Sequence, residues 1–334
     1  MNKEKTGVTA YLRKHWGVSI ALLIVAGVVA YMLQQRYLAM ILDYICIYTI
    51  AVTGLDLLFG YTGQVSFGQA GFYAIGAYGS TLLSMRVGVT PILSIFLGAI
   101  VALIFGLIIA FPASKLVKHF LSLLTIAFGQ MVYTFIVGAS WLTQGPSGIT
   151  KIPKVNLFGL EIGGSRGYQQ YFWLVAILLV LVLIVKHNII KSRIGRAFIA
   201  VRENPHAAAG MGINVAKYKI MAFGISAFLA GLAGALYAHM VGFISPDTFM
   251  ATQSNMFMTM LLFGGIGTMV GPLIGATVIT VMQQVLQSFA SAQTLIYALF
   301  ILVVLFFLPN GTVGLYDKLR KSFANRGSRK EGVK

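Results

Sequence analysis

The sequence predicts an all-α, polytopic integral membrane protein with about ten transmembrane helices and both termini in the cytoplasm. Three observations lead there. Of 334 residues, 58% are apolar and 10% charged, and the mean hydropathy is +0.85. A water-facing surface uses about a quarter charged residues, so the apolar excess faces lipid. Apolar runs near the ~20 helical residues that cross a ~30 Å hydrocarbon core recur along the chain. The Lys and Arg that give a net charge of +17 flank those runs on alternate loops.

Ten runs are readable: 17–33, 37–59, 67–84, 91–111, 120–139, 171–185, 220–242, 252–265, 272–289 and 294–308. The eighth and ninth are separated only by Gly264, Gly265, Gly267 and Gly271, which mark either a tight cytoplasmic turn or an unwound stretch of one element, so eight spans is the fallback. With the N-terminus inside, 20 of the 25 Lys and Arg fall on the cytoplasmic side, and only Arg36, Arg86, Lys151, Lys154 and Arg166 fall outside. Lys186 counts on the inner side in that tally. The organisation is then a cytoplasmic N-terminal segment 1–16, a permease domain 17–308 and a basic cytoplasmic tail 309–334. Within the domain lie an outer loop, 140–170, and a cytoplasmic loop, 186–219. Lys3, Lys5, Arg13 and Lys14 precede the first run, but nine spans follow it and no convincing cleavage site appears before Gln34, which favours an uncleaved start-transfer helix.

Several function classes drop out. No glycine is followed by lysine, so no phosphate-cradling loop of the Gly-x-x-x-x-Gly-Lys type exists and the chain does not hydrolyse ATP by itself. The histidines (15, 119, 187, 206 and 239) form no i, i+4 pair, which gives no metal site and reads as interfacial or loop histidines. Cys46, the sole cysteine, sits in an apolar run as a small buried hydrophobe. The positive charge follows span ends instead of lining a groove, as expected for anionic lipid headgroups and not for nucleic acid.

Charge at membrane depth is costly and usually functional. Only Asp43 and Asp56 qualify, and 13 residues place them about 220° apart on a helix at 100° per residue, so they are no carboxylate pair. Asp43 is near enough to the outer end to reach headgroups; Asp56, near the inner end, suits a hydrogen bond to neighbouring backbone.

Three segments stand out. Between Gly60 and Gly79, glycines alternate with Thr62, Gln64, Ser66 and Gln69, a pattern suited to close helix packing and to polar backbone along a water-filled cavity. These four and Gln130 are the candidate pathway-lining residues. Gly267, Gly271 and Gly275 have small-x-x-x-small spacing and read as helix packing. The loop 186–219 contains Asn204 as a cap, Pro205 in the first turn, three alanines to propagate and Gly210 or Gly212 to stop: a helix of about eight residues outside the membrane. It reads as a docking element, with a helix resting on lipid as the alternative. The outer loop, with Trp141 and, just beyond its end, Trp173, offers a surface on the other side.

These residues resemble the membrane subunits of bacterial branched-chain amino acid ABC importers, of the LivM-type permease. The resemblance runs from about Tyr37 to Leu315. It rests on Gly60-Tyr-Thr-Gly-Gln-Val-Ser-Phe-Gly-Gln-Ala70, Thr125-Ile-Ala-Phe-Gly-Gln130, Ser192 through Asn204, Ala230 through Ala238, Phe243-Ile-Ser-Pro-Asp247 and Gly264-Gly-Ile-Gly-Thr268. It implies a second related permease, two ABC ATPase subunits and an extracytoplasmic solute-binding protein as partners, in the bacterial cytoplasmic (inner) membrane. No cofactor belongs to this chain, since ATP and Mg sit on the ATPases, and the chain is a transporter subunit and not an enzyme. Arg202, Glu203, Asn204, Pro205, Ala207, Ala208 and Gly212 fall in the family's ATPase-coupling loop. Two positions depart from the family: Asp56 stands where Asn is common, and Ala209 lies where an additional Glu is frequent. Related permeases for urea, short amides, nucleosides or sugars remain alternatives, as does a self-sufficient secondary carrier that would use Asp43 or Asp56.

Overall fold

The computed structural model describes residues 35–115, 118–157, 160–162 and 168–286, with two isolated positions, 299 and 302. The first expected span, the tenth except for residues 299 and 302, the segment 1–16, the tail 309–334, and with them the placement of both termini, lie outside the described residues.

The second to ninth expected spans all appear as helices. In chain order they are α1 (Arg36–Leu55, continued by a π-helical turn Asp56–Gly60), α2 (Gln69–Arg86), α3 (Pro91–Ala113) and α4 (Lys118–Gly138), then α5 (Ser140–Thr143), a short helix on the segment read as outer loop. There follow α6 (Tyr168–Lys191), two short helices α7 (Arg193–Glu203) and α8 (Pro205–Gly210), α9 (Val215–Val241), α10 (Ala251–Gly264) and α11 (Gly271–Leu286). Among the described residues, five helices are long and apolar enough to cross a membrane: 36–60, α3, α4, α6 and α9. The eighth and ninth spans are separate helices. Gly275 packs on the Met260 backbone and Gly264 on Gly271, so α10 and α11 form an antiparallel hairpin. Gly271 and Gly275 therefore act in packing as their spacing suggests, whereas Gly267, at φ 70°, belongs to the turn.

Burial separates central from peripheral helices. The apolar windows of 36–60 and α9 are 78% and 72% buried, against 33%, 28% and 22% for α3, α4 and α6. The outer faces of those three present Ile104, Phe111, Leu123, Phe135 and Ile177 to their surroundings, a surface that only lipid solvates favourably. The central α9 packs chiefly on α1, α2 and α3. Small residues allow the approach: a Cβ on Gly234 would meet the Tyr73 backbone, one on Gly76 the Gly231 backbone, and one on Gly231 the Ala102 side chain.

The bundle has two ends. Asp56, Lys186, Arg202 and the α10–α11 turn mark one; Arg86, Trp141 and His239 mark the other. After α1 and after α9 the chain leaves the helix and turns back into the bundle, through 63–68 and 242–250. The helices that follow start side by side in the interior, where the Ala70 N–H donates to Ser254 Oγ at 2.8 Å and the rings of Tyr73 and Phe257 lie 5.4 Å apart. They then diverge. α2 runs to Arg86, whose guanidinium donates to the carbonyls of Trp141 (2.7 Å) and Leu142 (3.2 Å), and α10 runs to the opposite end.

The segment expected as a plain outer loop contains three short strands, two paired with each other and one with a strand that follows α9. β1 (Ile149–Thr150) pairs with β4 (Phe243–Ile244) in the register Ile149↔Ile244, and β2 (Val155–Leu157) pairs with β3 (Leu160–Ile162). It ends earlier than expected, because α6 begins at Tyr168. His239 is not an interfacial histidine: it is buried in α9, with Nε2 3.2 Å from Ser94 Oγ and Nδ1 2.8 Å from the Pro153 carbonyl, and so ties α3 and the outer segment to the central helix.

Replacing Gly234 with Leu is expected to lower the melting temperature of the purified protein by the equivalent of about 2 kcal/mol or more, the scale of overpacking a tight interior. Gly138→Ala, where a Cβ meets nothing within 4 Å, is expected to leave it unchanged.

Candidate functional site

The sequence that follows α6 folds into two helices at the end marked by Asp56. Ser192 starts α7 by accepting the Ile194 N–H at 3.1 Å, and Gly195, Ala197, Phe198 and Val201 face the bundle while Arg193 and Arg196 point away; Arg202, part-exposed, reaches back to the Gly60 carbonyl at 2.6 Å. α7 was not expected, since its amphipathic pattern lies among seven basic positions that read as solvated loop. Asn204 caps α8 as expected: its Oδ1 accepts the N–H groups of His206 (3.0 Å) and Ala207 (3.1 Å), and Pro205 occupies the first turn. The helix has six residues, fewer than the eight expected, and Gly212 at φ 81° ends it in the left-handed conformation that favours glycine. Glu203 is exposed, 3.5 Å from Arg202. Ala208 does not face outward. It is buried against the rest of the chain, and Ala207, Ala209, Gly210 and Met211 form the free face. Three identical alanines give a sequence reading no means of telling these faces apart.

Lys186 corrects the tally of loop charges. It belongs to α6, five residues before that helix ends, and its side chain is fully buried. Its Nζ lies 2.8 Å from Asp56 Oδ2 and donates to the Thr268 carbonyl at 2.9 Å, while Asp56 Oδ1 accepts the Gly267 N–H at 2.7 Å. The backbone bond expected of Asp56 is present, but the partner comes from the distant α10–α11 turn and a buried ion pair accompanies it. Asp43 does not reach toward headgroups either. It is buried, and its carboxylate oxygens have no hydrogen-bond partner among the described residues.

Four of the five candidate pathway residues point into the bundle. Thr62 donates to the Leu58 carbonyl at 2.6 Å, Gln64 to Thr62 (2.9 Å) and the Lys219 carbonyl (3.2 Å), and Gln69 to Ser226 at 2.7 Å. Ser66 accepts the Gly68 N–H at 3.4 Å. All four are buried, and their polar groups meet their own stretch and, for Gln64 and Gln69, α9. The Phe67 N–H goes to Thr125 Oγ1 at 3.1 Å, and a Cβ on Gly68 would meet the Thr125 backbone. Thr125 and Ser254 do this work; the sequence names Thr125 only as part of a family-like stretch and Ser254 not at all, because isolated hydroxyls in apolar helices carry no local signature of their partners. Gln130 alone of the five is exposed, on the outer face of α4.

Two apolar cavities, about 420 Å³ among α1, α3, α6 and α9 and about 370 Å³ among α2, α3, α4 and α5, contain no carboxylate that would hold an ammonium group. Among the described residues no His, Cys, Asp and Glu cluster suits a metal ion.

Residues 37–309 match the family described as branched-chain amino acid transport system / permease component. The chain is 31% identical over 285 residues to the high-affinity branched-chain amino acid transport system permease protein LivM of Salmonella typhimurium, covering 79% of this chain and 67% of that protein. It is 27% identical over 302 residues to LivH of the same organism, covering 85% and 96%. The autoinducer 2 import system permease protein LsrC of Salmonella paratyphi B is 26% identical over 198 residues, 58% of this chain and 54% of that protein. No solved structure matches the chain.

Lys186→Met is expected to destabilise the protein by about 3–5 kcal/mol, because it strands a buried carboxylate. Adding Asp56→Asn should recover most of that loss. Denaturant unfolding in detergent reads the cycle, and a single variant as stable as the double would show that no buried charge is left unpaired.

Proposed function

The chain belongs to the branched-chain amino acid transport permease family, and from that premise we propose how it works in an importer. It is a membrane-spanning permease subunit of an ABC importer of branched-chain amino acids, a transporter subunit and not an enzyme. The finer reading is that it pairs with a second permease in the bacterial inner membrane, receives solute from an extracytoplasmic binding protein and takes its driving force from two separate ATPases.

One observation supports the ATPase partnership above the others. α8 is a capped helix held by its buried Ala208, and its remaining alanines, with Met211, are turned out where nothing in this chain covers them among the described residues. Small side chains let a partner surface close around the helix backbone. The basic residues of α7 lie beside it, at the end where Lys and Arg concentrate. Nucleotide-driven closure of the ATPases would shift α7 and α8 as a unit and bias the bundle between two access states. A self-sufficient carrier is disfavoured on physical grounds, because Asp56, one of its two candidate coupling carboxylates, is already neutralised by Lys186.

Co-purification from native membranes tests this reading. Ala209→Arg, on the outward face of α8, is expected to reduce recovery of the ATPases at least about tenfold while leaving the permease's melting temperature unchanged. Ala208→Arg should instead unseat α8 and lower that temperature. Undiminished ATPase recovery with Ala209→Arg would count against docking at this face.

A further inference from the structure

Four pieces of chain that are distant in sequence meet within a few ångströms at the inner end. The π-helical turn Asp56–Gly60 closes α1; Lys186 comes from the last turns of α6; Arg202 comes from the end of α7; Gly267 and Thr268 come from the α10–α11 turn. Arg202 Nη1 donates to the Gly60 carbonyl at 2.6 Å, and Asp56 holds both Lys186 (2.8 Å) and the Gly267 N–H (2.7 Å). Lys186 completes the ring on the Thr268 carbonyl at 2.9 Å. The backbones come this close because two positions lack a side chain. A Cβ on Gly60 would strike the Asp56 carboxylate and the Gly267 backbone, and Gly267 sits at φ 70° with Arg202 Nη1 against it.

We propose that Asp56, Lys186 and Arg202 form a knot that transmits movement of the α7–α8 segment to the buried α1 and to the α10–α11 hairpin, which makes them positioning residues for transport coupling. The inference rests on reading α7–α8 as the ATPase-docking segment. Arg202 lies two residues before the Asn204 cap of α8, so any displacement of α8 reaches Arg202 through one helical turn. Covalently, α7–α8 is joined only to α6 and α9. Apolar contacts between helices have little directionality and allow sliding. Charge-assisted hydrogen bonds are directional and resist it, most strongly at the fully buried Asp56–Lys186 pair. The receiving element suits the task, because a π-helical turn is wider than its α neighbours and such turns recur where helices change register for function.

The test uses the complete importer, all chains and the binding protein, reconstituted in vesicles with leucine, with uptake and ATP hydrolysis measured on the same sample. The variants are the charge-free pair Asp56→Asn with Lys186→Met, and Arg202→Ala, whose side chain is 43% exposed and which leaves no buried charge behind. Both are expected to retain the ATPases and to hydrolyse ATP while moving about tenfold less leucine per ATP. A merely structural role would change the amount of assembled protein and leave that ratio alone. A ratio equal to the unmodified importer's, in either assembled variant, overturns the knot; if the paired variant fails to assemble, Arg202→Ala decides by the same ratio. Loss of the ATPases from Arg202→Ala would make that residue a docking contact and overturn its transmitting role. Failure of the unmodified chain to retain ATPases overturns the docking reading and the knot with it.

Discussion

A length of backbone without helix has to be buried inside an apolar bundle between α1 and α2, and each of its N–H groups needs an acceptor. In water this requirement is trivial; at membrane depth an unpaired peptide group costs several kcal/mol, so irregular backbone persists only where protein supplies the partners. Here the acceptors come from the stretch itself and from two other helices, and a third holds a side chain. Gly63 and Gln64 donate back to Phe59 and Leu58, Phe67 to Thr125 of α4, Gly68 to Ser66, and Ala70 to Ser254 of α10, while Gln69 reaches Ser226 of α9. Each hydroxyl fixes the rotation and depth of the helix that carries it. The polar 61–69 stretch is thus the point from which α2, α4, α9 and α10 take their register, and the glycines around it exist because backbones must touch there.

The interior meeting of α2 and α10 follows from the same constraint. Two helices that begin inside the bundle and run to opposite ends leave their first N–H groups at depth, and Ser254 serves one of them directly. Aromatic rings of Tyr73, Tyr237, Phe249 and Phe257 fill the space around that junction and exclude water. The charged end is built differently. There the Asp56–Lys186 pair is expensive to bury and stays only because Gly267 and Thr268 satisfy the valences that the pair leaves over. A short exposed helix beside it offers little stability of its own, which fits a surface meant for another chain. The family relationship gives a permease, and the geometry puts its buried polar register in the middle of the bundle and its charged junction at one end.

Legibility in the sequence followed the range of the interactions. Spans were readable because lipid exposure is written in local composition, and all eight expected spans within the described residues are helices. The start of α8 was readable because a cap, Asn204 with Pro205, acts over three residues. What escaped were partners distant along the chain. Lys186 looks like any basic residue at a span end until Asp56 is beside it, and Thr125 and Ser254 look like ordinary hydroxyls in apolar helices. Polarity at 62–69 was visible, but the identity of its partner, water or protein, is not encoded locally. The amphipathic α7 was masked by its own arginines, and the outward face of α8 by its uniform alanines.

Amide hydrogen exchange on the protein in lipid nanodiscs tests the central constraint most directly. If protein groups satisfy the buried irregular stretch, the amides of Phe67, Gly68, Ala70 and Gly71 exchange as slowly as the middle of α9, and far more slowly than residues 206–212. Exchange of those four amides at the rate of the exposed α8 would mean that water reaches them, and would contradict the account.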